Sequence, residues 1–116
     1  MDKIISEELL SYILKDKVKR IIGIEDNSLK YLTESYGFGE GFTCSINLCV
    51  LRDIMEEWTF DRGYEVYLDK LVNGYYIYRV FKNSSSDNIF HEESKIEAIT
   101  KACQWIYDKE IKNGWG

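Results

Sequence analysis

The dipeptide Asn73-Gly74 constrains the fold of this 116-residue chain more than any other sequence feature. It separates two runs in which apolar and polar residues alternate, and Asn-Gly in that setting is the strongest short-range signal for a β-hairpin. Both central residues of a type I′ turn adopt positive φ, which asparagine and glycine tolerate. The sequence therefore predicts a two-residue loop in which Val72 pairs with Tyr75.

That register would divide the side chains of the hairpin between two faces. One face is aliphatic and includes two cations: Val66, Leu68, Ile77, Phe81, Lys70 and Arg79. The other face is rich in tyrosine: Tyr67, Leu71, Tyr76, Tyr78 and Val80. We expect helices to cover the aliphatic face. The tyrosine face would be either a second buried layer or an exposed contact surface, because tyrosine combines a large apolar ring with a polar tip.

Two long amphipathic helices are predicted, one before the hairpin and one after it. Ser45 would cap the first, and Gly63 would end it. Its apolar residues recur at three- and four-residue steps, so much of this helix should be buried: Ile46, Leu48, Cys49, Val50, Leu51, Ile54, Met55 and Trp58. The second would begin with a capping box formed by Ser94 and Glu97. Its apolar stripe would consist of Ile96, Ile99, Ala102, Cys103 and Ile106.

The first third of the chain predicts a short helix and two strands. Ser6 is a good N-cap, and it is followed by Glu7 and Glu8, which suit the helix dipole. Strands are indicated at 18–24 and 29–33, with turn residues between them, and Ile89-Phe90 favours a short further strand. We therefore predict a single α+β domain spanning 1–116. In it, an antiparallel sheet of about four strands would pack on two long helices as a layered sandwich.

The charge balance argues against a nucleic-acid partner, since twenty acids face fifteen bases and the net charge is −5. The one basic run, at 15–20, is interrupted by Asp16 and is typical of a solvated edge. A negative net charge would suit binding to a basic partner protein, or it would simply keep the protein soluble. No apolar run long enough to span a membrane is present. No leader is visible and the three cysteines form no C-x-x-C pair, which favours a reducing cytosol.

Residues that carry chemistry are sparse. His91 is the only histidine, and we expect it to lie in a surface loop beside Glu92 and Glu93. An enzyme would have to combine it with Cys44 or Cys49. Neither a metal-ligand set nor an activated thiol is apparent. We therefore expect no catalytic site, no metal and no cofactor.

The segment 35–42 is the only glycine-rich stretch, and it predicts either a contact loop or a ligand loop. Gly37, Gly39 and Gly41 alternate, but they do not match the dinucleotide fingerprint or a P-loop. Phe38 would lie at the tip of this loop. A nucleotide-sequestering protein that uses the Gly37–Gly41 loop and the tyrosine face is the alternative to protein binding.

The second half of the chain resembles small bacteriophage and prophage proteins of the phage ABA sandwich domain family. The resemblance covers about residues 43–108 and is carried by Ser-Ile-Asn-Leu at 45–48, Glu-Glu-Trp at 56–58, Gly-Tyr-Glu-Val at 63–66 and the helix at 97–106. It implies a phage origin and a layered fold. It implies no catalytic residue.

These observations favour a phage-encoded accessory protein that acts by non-enzymatic protein binding. It would inhibit a host defence or regulatory system, as an anti-CRISPR protein does. The partner would be a host or phage protein, and a homodimer through the tyrosine face is a further expectation. The predicted binding surface combines aromatic and acidic residues: Tyr67, Tyr76, Tyr78, Phe38, Glu56, Glu57, Glu92 and Glu93.

Overall fold

A computed structural model describes residues 5–34, 41–82 and 85–112, with the side chains of 85–87 left out. The described chain is α+β, as predicted, but it holds six strands in two three-stranded antiparallel sheets rather than about four strands in one sheet. Three helices accompany them, the short first helix and two longer ones, whereas the predicted sandwich counted only the two long helices. The chain divides into two compact units, Met1–Leu51 and Arg52–Gly116. Whether these units fold as one domain stays a prediction.

The first unit begins with helix α1, Glu7–Leu14, and the predicted cap is confirmed. The Ser6 hydroxyl accepts a hydrogen bond from the Leu9 amide at 3.2 Å. The helix ends at Lys15, which adopts the left-handed conformation with φ 57°. Its Ser11 hydroxyl accepts from the Val18 amide at 2.9 Å, so the helix also fixes the start of the first strand.

Three strands form the first sheet in chain order: β1 (Val18–Glu25), β2 (Ser28–Thr33) and β3 (Thr43–Asn47). Glu25 pairs with Ser28 around a two-residue turn in which Asp26 and Asn27 have φ of 52° and 59°. Positive φ at both positions is the type I′ geometry. The strand predicted at 29–33 is present as β2, in which Leu29, Tyr31 and Thr33 are buried.

The predicted start of the next helix is wrong. Ser45 lies in β3, where it pairs with Lys30, and Asn47 caps the helix instead by accepting from the Cys49 amide at 2.8 Å. Pairing with β2 overrides the local capping preference of a serine. Helix α2 spans Leu48–Asp61.

The predicted burial of α2 is also too broad. Its fully buried residues are Leu51, Met55 and Thr59, which form a single narrow stripe at four-residue steps. Val50 is 50% exposed and Phe60 is 72% exposed. Apolar side chains therefore remain on the solvent side of this helix.

The second sheet consists of β4 (Tyr64–Lys70), β5 (Tyr76–Lys82) and β6 (Ser85–Glu92), in that order. The Asn73-Gly74 hairpin is present, but its predicted two-residue loop is wrong. The Leu71 amide donates to the Tyr75 carbonyl at 2.8 Å, and the Gly74 amide donates to the Leu71 carbonyl at 3.0 Å. Among residues 72–74, Gly74 alone has positive φ, 91°. These residues therefore form a three-residue loop with a left-handed glycine.

The extra loop residue changes the register by one and recombines the predicted faces. Val66 pairs with Val80 and Leu68 with Tyr78, so the aliphatic residues of β4 share a face with the tyrosines of β5. We call this the inner face; its β4 and β5 members are Tyr64, Val66, Leu68, Lys70, Tyr76, Tyr78, Val80 and Lys82. The opposite side is the outer face. A slip of one residue in a strand pair exchanges the partners on both faces.

Helix α3, Lys95–Tyr107, covers the inner face and continues into a π-helical turn at Asp108–Lys112. The Ser94 hydroxyl accepts from the Glu97 amide at 3.2 Å, as predicted. Trp105 lies 6.1 Å, between ring centroids, from both Tyr64 and Phe90. The core of this unit is completed by helix residues that are buried: Ala98, Ile99, Ala102, Cys103 and Ile106. Residues 113–116 lie outside the described residues.

Candidate functional site

The outer face of the second sheet is the candidate binding surface. Strand register places on it the described side chains Glu65, Tyr67 and Asp69 of β4, Ile77, Arg79 and Phe81 of β5, and Ile89 and His91 of β6. Tyr67 is 55% exposed and Ile89 is 57% exposed, while Ile77 and Phe81 are half-buried. Helices pack on the opposite face, so these apolar groups are not needed to fill the core.

The aromatic pair at the centre of the outer face is ordered by the sheet. The rings of Tyr67 and Phe81 are stacked, with centroids 5.5 Å apart and planes 14° from parallel. Arg79 is paired across the strands with Tyr67 on one side and with Ile89 on the other. Tyrosine and arginine are the residue types most enriched at interface hot spots, and a sheet holds them with little conformational freedom left to lose.

The charges around this surface are mixed. Glu65 and Asp69 lie on the edge strand β4, whereas Arg79 lies on the central strand β5. Stacked aromatic side chains on a sheet can bind single-stranded nucleic acid, but such sites also need cations along the backbone path. Two carboxylates beside the aromatic pair favour a protein partner over a polyanion.

The three tyrosines predicted to share a surface do not share one, because of the register change. Tyr78 is on the inner face with 1% exposure, and its hydroxyl donates to the Glu56 carboxylate at 2.7 Å. Burial, and then this hydrogen bond, raise the pKa of Tyr78 far above its usual value. Tyr76 is half-buried, with the ammonium groups of Lys70 and Lys95 5.4 Å and 5.6 Å from its ring centroid. Tyr67 alone lies on the outer face.

The predicted acidic contacts are likewise dispersed. Glu92 forms an ion pair with Lys101 at 2.9 Å. Glu93 accepts from the Tyr75 hydroxyl at 3.2 Å, and this hydrogen bond raises the pKa of Tyr75. Glu56 and Glu57 lie on α2, and Phe38 lies outside the described residues.

A second feature of this unit is a groove between α2 and β4. Its volume is about 410 Å³, and it is lined by Asp53, Glu56, Glu57, Phe60, Tyr64 and Val66. Three of the lining residues are acids on one side of the helix, and the other three are apolar or aromatic. Glu56 accepts a hydrogen bond from Tyr78, and the exposed Asp53 carboxylate lies 3.8 Å from the Arg52 guanidinium. Glu57 is the third carboxylate of the groove.

The groups considered for catalysis are divided between the two units, since Cys44 and Cys49 lie in the first and His91 lies in the second. His91 lies in strand β6 and not in a loop, with its ring centroid 5.4 Å from that of Tyr75. Cys103 is buried, and burial raises the pKa of its thiol. Within 5–34, 41–82 and 85–112, no three histidine, cysteine or acidic side chains are grouped as metal ligands would be.

One glycine of the glycine-rich segment has a structural role in the first sheet. A Cβ atom at Gly41 would lie 1.5 Å from the Thr33 carbonyl oxygen, so only glycine fits there. The neighbouring Phe42 amide donates to the Thr33 hydroxyl at 3.2 Å. Gly37 and Gly39 lie outside the described residues, so the alternative of a nucleotide-binding loop stays a prediction.

Comparison with protein-family models, curated proteins and solved structures gives no match to this chain. The resemblance to phage ABA sandwich proteins therefore stays a prediction. Among the described helices, none is long and apolar enough to cross a membrane.

Sequence reasoning missed Ile77, Arg79, Phe81 and Ile89 as members of the site. The signal that could have found them is in the hairpin itself. Asn-Gly also suits a three-residue loop in which only the glycine is left-handed, and that loop combines Tyr67 with Arg79 and Phe81.

Proposed function

We propose that this protein acts by non-enzymatic binding of a partner protein through the outer face of β4, β5 and β6. The observation that carries this proposal is the exposure of Tyr67 and Ile89 on a sheet whose opposite face is covered by helices. Contiguous apolar side chains on an otherwise charged surface are typical of interaction sites. Burying one such side chain completely stabilises a complex by about 1.5–3 kcal/mol.

The surface favours a partner with a flat apolar patch and an acidic group opposite Arg79. Arg79 lies between Tyr67 and Ile89, so it would be desolvated at the centre of the contact. A guanidinium in that position binds a carboxylate with two parallel hydrogen bonds. Glu65 and Asp69 would lie at the rim, where they would repel acidic groups of the partner that lie opposite them.

The resemblance to phage proteins supports a more specific form of the proposal. The protein would be phage-encoded and would bind a host defence or regulatory protein in the bacterial cytoplasm, as anti-CRISPR proteins do. The net charge of −5 is compatible with competition for a surface that normally binds nucleic acid. The target of such an inhibitor would be a bacterial protein, so this more specific proposal is tested in bacterial cells and lysates.

The binding experiment compares three forms of the tagged protein. The wild type should capture a stoichiometric partner from a bacterial lysate, and the double variant Tyr67→Ser/Ile89→Ser should lose it. Val50→Ser is the matched control, because Val50 is as exposed as these residues but lies on α2. Thermal unfolding of each variant verifies that folding is unchanged.

Capture that survives the Tyr67→Ser/Ile89→Ser change would contradict the outer-face proposal. Expression of the wild type in a strain with an active defence system should increase phage plating, and the double variant should not. Equal plating with wild type, variant and empty vector would remove the inhibitor form of the proposal.

A further inference from the structure

The edge strand β4 leaves main-chain hydrogen-bonding groups available beside the acidic groove. In the described part of the chain, β4 pairs with β5 only. The Leu71 amide donates a hydrogen bond to the Tyr75 carbonyl. The N–H and C=O groups of β4 residues at two-residue steps from Leu71 therefore also point toward β5. The N–H and C=O groups of the intervening residues, Val66 and Leu68, therefore point away from β5.

The groove lies on the inner side of the same edge. Val66 and Tyr64 line it from β4, and Asp53, Glu57 and Phe60 line it from α2. The Asp53 side chain is 71% exposed, and Phe60 also projects into solvent. The groove is thus open along the line that a strand added to β4 would follow.

An added strand would place alternate side chains in this groove. Side chains of a strand alternate between faces, so every second residue of the added segment would lie on the same side as Val66 and Leu68. There it would meet an aromatic ring and two carboxylates. Lysine and arginine match this combination, since their methylene stems pack on apolar surface while their charged heads reach acids.

We propose that the groove between β4 and α2 binds an extended basic segment of a partner protein, which adds to the free edge of β4 as a further strand. Main-chain hydrogen bonds to Val66 and Leu68 would supply affinity. Asp53, Glu57 and Phe60 would select basic side chains at alternate positions. This site uses none of the outer-face residues, so it goes beyond the proposed function.

A second copy of the chain is a poorer occupant than a basic segment. Two copies joined edge to edge through β4 would bring their α2 helices to the same side of the joined sheet. The Asp53 and Glu57 carboxylates of one copy would then approach those of the other. Like charges placed opposite each other at an interface repel and select against that pairing.

The experiment titrates the isotope-labelled full chain with a blocked peptide that alternates lysine and threonine. Binding should shift the backbone amide resonances of Val66 and Leu68 and slow their solvent exchange. A peptide of the same composition with all lysines contiguous should bind more weakly. A third peptide, methylated on every backbone amide nitrogen, retains the charge but cannot donate the hydrogen bonds of an added strand.

Three variants locate the site. Glu57→Lys should weaken binding of the alternating peptide by about tenfold or more, because it replaces an attraction with a repulsion. Asp61→Lys makes the same charge change on an exposed residue of α2 outside the groove, and it should have a much smaller effect. Tyr67→Ser should leave peptide binding unchanged, so failure of the outer-face proposal would be recognised separately.

Several outcomes would overturn the proposal. Equal binding of the methylated peptide would indicate charge attraction without strand addition. Absence of shifts at Val66 and Leu68 at millimolar peptide would exclude the site. Shifts at these amides that grow with protein concentration in the absence of peptide would assign the edge to self-association instead.

Discussion

The two faces of the second sheet differ in what the same residue type does on each. Tyr78 and Tyr67 lie on neighbouring strands, yet Tyr78 is 1% exposed and Tyr67 is 55% exposed. Tyr78 donates to a carboxylate on α2, whereas Tyr67 stacks on Phe81 at the surface. The role of a tyrosine here follows from strand register rather than from its type. The inner face stabilises the unit, and the outer face is available for recognition.

The largest expected difference between the faces is in stability. Tyr78→Ala should lower the free energy of unfolding by about 3–5 kcal/mol, because it empties a packed site under two helices. Tyr67→Ala should change it by less than about 1 kcal/mol, since the ring already contacts water. Urea unfolding followed by circular dichroism measures both. Equal losses in the two variants would mean that the faces are not divided as described.

Tyr78 on the inner face should also make the free energy of unfolding depend on pH. The pKa of Tyr78 is raised in the folded state above its ordinary value of 10.0, so the folded chain holds a proton that the unfolded chain releases. This stabilisation is complete below that value and is lost as the pH rises above it. At about pH 11 the free energy of unfolding should have fallen by about 1.4 kcal/mol through the ionisation of Tyr78 in the unfolded chain.

The variant Tyr78→Phe isolates this contribution, because Cys103 and Tyr31 also have raised pKa values and act in the same direction. The difference in unfolding free energy between wild type and Tyr78→Phe should shrink from pH 9 to pH 11, values chosen about one unit either side of the ordinary tyrosine pKa. Tyr67→Phe, measured at the same two pH values, is the matched control for removing a tyrosine hydroxyl. If the difference in unfolding free energy between wild type and Tyr78→Phe stayed constant with pH, the Tyr78 hydroxyl would be in contact with water in the folded state.

The smallest expected effect tests whether the loop or the strands hold the register. Deleting Val72, which is fully exposed, leaves Asn73-Gly74 as a two-residue turn closed by the same Leu71–Tyr75 pair. We expect a change in unfolding free energy of less than about 1 kcal/mol and continued burial of Tyr78. Near-ultraviolet circular dichroism reports the tyrosine packing. A large loss would show that the three-residue loop itself determines which tyrosine is buried.

Local signals predicted most elements of the fold. Ser6 and Ser94 cap the helices they were expected to cap, and the strand expected at 29–33 is present as β2. Ser45 failed as a cap because β3 pairs with β2, a contact between distant residues that no local pattern encodes. The candidate site was predicted only in part. Tyr67 was included, but its partners Phe81, Arg79 and Ile89 were assigned elsewhere or left out.

The sequence by itself determined that a hairpin forms at Asn73-Gly74 and that amphipathic helices accompany it. Turn chemistry and periodicity act over a few residues, so they can be read from the chain. Only the tertiary structure decided which of two turns Asn-Gly adopts, and therefore which tyrosine is buried and which is exposed. The physical reason is that both turns suit the dipeptide, while packing of Tyr78 and Val80 beneath the helices favours one register.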